Sequence, residues 1–445
     1  MVIFLPQKRK NHVILLFMKR KTYKRPTPEL LALILAEFWE RSFSHLVHRP
    51  TRIGTIEGKV DVFIGMRRTG KTYLAYQRIQ DLRKQGIPQS AILYLNFEDD
   101  RILPVDREGL ASLLEDFYRL HPENHDRRCY LFLDEIQNVD EWPAVIRRFL
   151  DTRNVHITLT GSSAKLLSRE IATSLRGRSI ATEVWPMGFD EYLDATGQKA
   201  ARSSASPRSH DFQLAALQSY LKTGGMPEVP NLQEFDRRRI LQDYVSLVIL
   251  KDLVERHKIK NEALLKYFVK ILLTQVARPM SINKIAKDLK SQGRKTGKNT
   301  LYQYLEHIED CFLAFSVPLF TESLRKQQTN PRKIYAIDTG MAYSQSLAHA
   351  GNLGRLFENL IFLDLKRAGF EVAYYLTETG REIDFIATGP DGRVRAVQAC
   401  LSMADPETRE REEAALQEGM AELKLPGQTV TLDNYAVFVN SLKSL

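Results

Sequence analysis

The 445-residue chain reads as an α/β protein built on a doubly wound parallel sheet. Three observations predict this. An apolar strand at 59–64 runs into a glycine loop, 65–72, that opens directly into a helix at 72–85. Further short strand-like runs at 91–97, 129–133, 155–159 and 179–185 alternate with helical patterns, as parallel βα units do. The run at 129–133 delivers two adjacent carboxylates, Asp134 and Glu135, to its end.

Before the first strand, residues 1–26 interleave short apolar runs with Lys8-Arg9-Lys10 and Lys19-Arg20-Lys21 and read as a basic, disordered tail. The charge-first order and cleavage site of a signal peptide are absent. Residues 27–43 read as an amphipathic helix with Pro28 in its first turn and Leu30, Leu31, Ile34, Leu35 and Phe38 on one face. The net charge of +10 is uneven, because residues 1–58 hold 11 Lys/Arg against 4 Asp/Glu. A nucleic-acid contact therefore has to be argued from local patches, not from the total. No apolar run reaches the roughly 18 residues of a membrane span. Cys129, Cys311 and Cys400 lie far apart, which excludes a disulfide framework or a cysteine zinc site and fits a reducing cytoplasm.

Gly65-Met66-Arg67-Arg68-Thr69-Gly70-Lys71-Thr72 has the G-x-x-x-x-G-K-[ST] spacing of a phosphate-binding loop. Gly65 and Gly70 let the backbone of Arg67, Arg68 and Thr69 turn its N–H groups toward phosphates, and the helix N-terminus adds partial positive charge. Lys71 would reach the β- and γ-phosphates of ATP, and Thr72 with Asp134 would hold Mg²⁺. Glu135 would polarise the attacking water. The strand at 155–159 ends in Thr160-Gly161-Ser162-Ser163, where Thr160 and Ser162 are candidates for sensing the γ-phosphate. Ser162 would equally cap a helix at 164–174. Arg178, then Arg176, are candidates for acting on a neighbouring subunit's nucleotide.

These motifs, with Pro186-Met-Gly-Phe-Asp-Glu-Tyr-Leu193 and Gly224-Gly-Met-Pro-Glu228 in the same order, resemble a large prokaryotic family of AAA-type P-loop ATPases that carry a C-terminal domain of unknown function. The resemblance runs from about residue 22 to the end. It implies an ATPase core at 27–195 that binds and hydrolyses ATP with Mg²⁺, and a homo-oligomer, a hexameric ring being favoured. A helical lid would cover 196–260, with a loop at 200–209, helices at 211–222 and 237–257, and a second arginine sensor at Arg238 or Arg239.

Residues 261–345 read as a winged helix: helices at 263–276, 282–289 and 299–311, then two strands, 312–319 and 333–337, flanking a basic wing. Between residues 284 and 333 there are 10 Lys/Arg against 5 Asp/Glu. Lys298, Asn299, Thr300 and Gln303 would face a DNA groove, and Arg294 and Lys295 of the preceding loop with Arg325 and Lys326 of the wing would meet phosphates. Residues 346–445 resemble a restriction-endonuclease-like α/β domain, whose active members place a helix Glu, a strand-end Asp and a Glu-x-Lys around a metal. Glu358 and Asp384 match, but Gln398-Ala399-Cys400 stands where Glu-x-Lys belongs. That predicts a degenerate nuclease site. The whole predicts a cytoplasmic ATPase motor that remodels DNA, with branched DNA among its candidate substrates. An ATP-switched regulator of a protein partner and an ATP-gated metal-dependent nuclease are the alternatives.

Overall fold

A computed structural model describes residues 23–41, 47–50, 56–161, 173, 175–198, 206–293, 296–346 and 353–443. Its first layer is a five-stranded sheet of β1 (Val60–Ile64), β2 (Ile92–Asn96), β3 (Cys129–Asp134), β4 (Val155–Gly161) and β5 (Ser179–Glu183). The strands run in the order β2-β3-β4-β1-β5, every pair parallel. Helices cover the sheet, so β1 is buried along its whole length, and its one charged residue, Asp61, is partnered by the buried His156 at 2.8 Å. Helix Lys71–Lys84 packs Leu74, Ala75, Ile79 and Leu82 inward, and helix Arg107–Leu120 starts where the Asp106 carboxylate accepts the Gly109 N–H at 3.0 Å.

Helix Pro28–Glu40 buries Leu31, Ile34, Leu35 and Phe38, and the Phe38 ring stacks on Tyr94 at 4.6 Å. The chain just before it departs from the expected tail. Lys24 N–H bonds the Pro104 carbonyl at 2.7 Å, Tyr23 donates to Asp140 at 2.6 Å, and Arg25 pairs with Asp106 at 2.7 Å. Residues 23–26 are thus held on the core. Residues 1–22 and the expected helix at 164–174, apart from Thr173, lie outside the described residues.

The segment expected as a lid, within 196–260, holds helices Pro207–Thr223 and Glu234–Val248. The first begins four residues earlier than expected, because Ser206 caps it and Pro207 fits its first turn. The stretch read as one helix at 237–257 changes pitch, with a π-helical segment at Ile249–Glu255.

Helices Glu262–Thr274, Ile282–Ser291 and Lys298–Asp310 follow. A three-stranded sheet of β6 (Pro279–Met280), β7 (Ala314–Val317) and β8 (Arg332–Ala336) accompanies them in the order β6-β8-β7. This agrees with the expected helices and strand pair, but β6 is an additional strand and a short helix, Leu324–Thr329, replaces an open wing. The last layer is a sheet of β9 (Glu371–Leu376), β10 (Glu382–Thr388), β11 (Val394–Ala399) and β12 (Gly427–Val430), with helices Leu353–Arg367, Pro406–Leu423 and Tyr435–Lys443. No described helix is long and apolar enough to cross a membrane.

Candidate functional site

The loop between β1 and helix Lys71–Lys84 lies at the carboxyl ends of the parallel strands, where open α/β sheets bind ligands. Gly65 has φ 153°, and a Cβ there would lie 2.4 Å from the Val184 carbonyl oxygen, so only glycine fits the turn. Thr69 Oγ1 donates to the Met66 carbonyl at 3.0 Å and closes the loop on itself. Lys71 Nζ lies inside it, 2.9 Å from the Met66 oxygen and 3.1 Å from that of Gly65. Burial lowers the Lys71 pKa, with Glu135 and Asp134 opposing the shift.

β3 ends at Asp134, and the β4 register sets Thr160 beside it. Asp134 Oδ2 accepts from Thr72 Oγ1 at 2.8 Å and from the Tyr94 hydroxyl at 2.8 Å, and Oδ1 accepts from Thr160 Oγ1. The Thr160 hydroxyl in turn accepts the Glu135 N–H at 3.0 Å. Thr160 therefore pins both acidic residues. Burial raises the Asp134 pKa, and the hydroxyl hydrogen bonds partly counter it. Glu135 sits at φ 54°, a left-handed turn that redirects the chain after the strand, and its carboxylate accepts from Gln137 Nε2. Thr72 and Asp134 form an oxygen-only donor set, which fits a hard divalent cation such as Mg²⁺.

Three arginines tie this loop to the rest of the molecule. Arg49, buried, donates to the Thr69 carbonyl at 2.9 Å, to the Trp185 carbonyl at 2.8 Å and to Glu191 at 2.9 Å. Gln77 clamps the Arg49 backbone at both its N–H (2.8 Å) and its carbonyl (2.9 Å). Sequence reasoning missed Arg49, since no local pattern marks it. Arg67 Nε pairs with the buried Asp252 of the π-helical segment at 2.8 Å, and Arg68 lies 3.8 Å from Glu228 and over the Tyr244 ring. Both guanidiniums thus face the lid. Burial pushes the Asp252 carboxyl up, with Arg67 opposing.

Arg178 and Arg176 precede β5, at the opposite end of the strands from the loop, and Arg178 pairs with Asp151. They therefore lie away from this chain's own phosphate loop. Ser162 lies outside the described residues. In the lid, Arg238 reaches the Ser346 carbonyl at 3.4 Å.

In helix Lys298–Asp310, Leu301, Tyr304, Leu305 and Ile308 are buried, while Lys298, Asn299 and Gln303 are exposed and Thr300 is half-buried. Arg325 and Lys326 are exposed, and Arg294 and Lys295 lie outside the described residues. This helix meets the lid through His307, whose ring stacks on His257 with centroids 3.6 Å apart. Burial first, then His307, lowers the His257 pKa to about 4, so it is neutral near pH 7.

Lys333, counted among the basic residues of 284–333, is not available to phosphate. It is fully buried, and its Nζ lies 2.5 Å from Glu358, 2.8 Å from Glu382 and 2.9 Å from Asp384. Gln398 belongs to the same cluster, accepting the Asp384 N–H at 3.2 Å and donating to Glu412 at 2.6 Å. Among the described residues no group of three or more His, Cys, Asp or Glu is arranged to hold a metal.

A family described as an AAA domain matches residues 57–193, the stretch that holds this loop and both carboxylates, and one described as a domain of unknown function matches residues 214–351. The uncharacterized protein MJ1544 of Methanocaldococcus jannaschii is 34% identical over 394 residues, 88% of this chain and 85% of that one. An uncharacterized protein of Haemophilus influenzae is 29% identical over 333 residues, 75% of this chain and 80% of its own. Among solved structures, the Walker-type ATPase PABY2304 of Pyrococcus abyssi aligns with 64% of this chain and 90% of its own, at 15% identity and a TM-score of 0.41.

Proposed function

The chain belongs to the family of AAA-type P-loop ATPases with a C-terminal domain of unknown function, and from that premise we propose that it hydrolyses ATP and couples the reaction to binding and remodelling DNA. The observation that carries the reading is the Thr72–Asp134–Thr160–Glu135 network beside the glycine loop. In it, Lys71 and the loop N–H groups hold the phosphates, and Arg67 and Arg68 contribute through their backbone. Thr72 and Asp134 would hold Mg²⁺, which would supply neutralisation of phosphate charge when bound. Glu135, fixed by Thr160 and Gln137, orients water and takes its proton. Tyr94 and Thr160 keep Asp134 aimed, and Arg178 of a second copy serves as the external cation, which implies a homo-oligomeric ring, a hexamer being the form favoured.

The link to DNA runs through the lid. Arg67 in the loop pairs with Asp252, the same segment carries on to His257, and His257 stacks on His307 of the helix that exposes Lys298, Asn299 and Gln303. Phosphate binding that re-aims Arg67 would shift this segment and the helix with it. A cytoplasmic setting fits this role.

The DNA half of the proposal is tested by reversing charge. The triple variant Lys298→Glu, Arg325→Glu, Lys326→Glu is expected to weaken duplex binding in fluorescence anisotropy. It should also flatten the salt dependence by about 0.9 in log–log slope for each phosphate that the protein no longer neutralises. Unchanged affinity and slope would remove this face from DNA binding. An ATP-switched regulator of a protein partner would then lead.

A further inference from the structure

The carboxylates that resemble a nuclease centre are not arranged for a metal. Glu358 comes from helix Leu353–Arg367, Glu382 and Asp384 from β10, and the group between them is an ammonium from β8. Lys333 has three N–H donors, and all three are spent on these carboxylates at 2.5, 2.8 and 2.9 Å. A divalent cation bound to the same oxygens, at about 2.0–2.6 Å, would have to occupy the space of Nζ. Two of these carboxylates take further donors: Asp384 Oδ2 accepts the Ala399 N–H at 3.0 Å, and Glu358 Oε1, the oxygen that faces Lys333, also accepts the Tyr335 hydroxyl at 2.7 Å. Exposure decides against a hydrolytic role for the lysine. The Lys333 side chain is 1% exposed, that of Asp384 9% and that of Glu358 12%; Glu382, at 34%, forms the solvent-facing rim, so the ammonium itself is screened from a phosphodiester.

We propose that Lys333 is the permanent cation of this site, standing where a metal would, and that the site is a lock fixing β8 to the C-terminal sheet and cuts no nucleic acid. The lock does not act alone. Asn359 brackets Ala336, donating to its carbonyl at 3.0 Å and accepting its N–H at 2.7 Å, and Tyr335 stacks on Phe362 at 4.5 Å. The Tyr374 N–H bonds the Pro318 carbonyl at 3.0 Å, which carries the chain after β7 onto β9. The three-stranded sheet and the C-terminal sheet are thereby one mechanical unit, and a boundary at residue 345 divides only the sequence. Burial alone would lower the Lys333 pKa, but Asp384, Glu358 and Glu382 outweigh it and keep the ammonium charged.

The test uses the full-length chain without nucleotide, followed by thermal unfolding in EDTA and in excess MnCl₂. Wild type should give the same unfolding temperature in both, or a Mn²⁺ response that Asp384→Asn retains and that therefore lies elsewhere. Lys333→Ala should unfold several degrees lower and gain a Mn²⁺-dependent rise that the double variant with Asp384→Asn lacks, because three carboxylates are then left without their cation. A wild-type Mn²⁺ response abolished by Asp384→Asn would overturn the proposal. So would an unaltered unfolding temperature in Lys333→Ala, or Mn²⁺-dependent cleavage of DNA by wild type that Glu358→Gln abolishes. Should Lys333→Ala yield no soluble protein, the wild-type and Asp384→Asn pair decides the matter alone.

Discussion

Replacing Glu135 with glutamine is expected to lower the rate of ATP hydrolysis about 10²–10⁴-fold while leaving nucleotide affinity close to wild type. The amide keeps the size of the side chain but cannot take a proton. Its main-chain anchor, the Glu135 N–H to Thr160 bond, survives, as do Lys71, Thr72 and Asp134. Phosphate release and fluorescent-nucleotide binding measured on the same preparation separate the two effects. A variant that hydrolyses at the wild-type rate would show that another group activates the water. A variant that loses affinity as well would show that the substitution disturbs the loop.

Removing Arg49 acts through structure. Its guanidinium holds the carbonyls of Thr69 and Trp185 and the Glu191 carboxylate together, with side-chain exposures of 10% for Arg49 and 12% for Glu191. Arg49→Ala leaves a nearly buried carboxylate without its cation, a loss of about 3–5 kcal/mol. The unfolding temperature should fall by roughly 5–10 °C. Nucleotide affinity should fall with it, because Thr69 lies in the phosphate loop. Arg49→Lys should recover only part of both, since an ammonium cannot reproduce the planar fork that reaches three separate acceptors. Scanning calorimetry with and without nucleotide checks this, and an Arg49→Ala protein as stable as wild type would show that the clamp contributes nothing measurable.

Arg49 also shows where sequence reasoning stops. The strands of the first sheet are legible because most are short apolar runs bounded by polar or glycine-rich segments. The glycine loop was legible because its spacing is itself the chemistry. Arg49 reaches partners 20, 136 and 142 positions away, and nothing near it in the chain reports them. Asp252 was hidden in the same way, inside a stretch that reads as ordinary helix until its pitch widens. Lys333 is hidden for a different reason. Counting basic residues along the wing treats every charge as exposed, whereas this one is paired with carboxylates that come later in the chain, at Glu358, Glu382 and Asp384. The absence of a lysine at Cys400 was visible, but a lysine arriving from another strand was not.

Steady-state ATP hydrolysis tests the central claim most directly, measured with no DNA, single strand, duplex and a four-way junction, with Glu135→Gln as the blank. The account predicts turnover that the blank lacks and that at least one DNA form raises severalfold. A rate identical under all four conditions, with the blank still inactive, would contradict the coupling to DNA and leave an ATPase whose partner is something else.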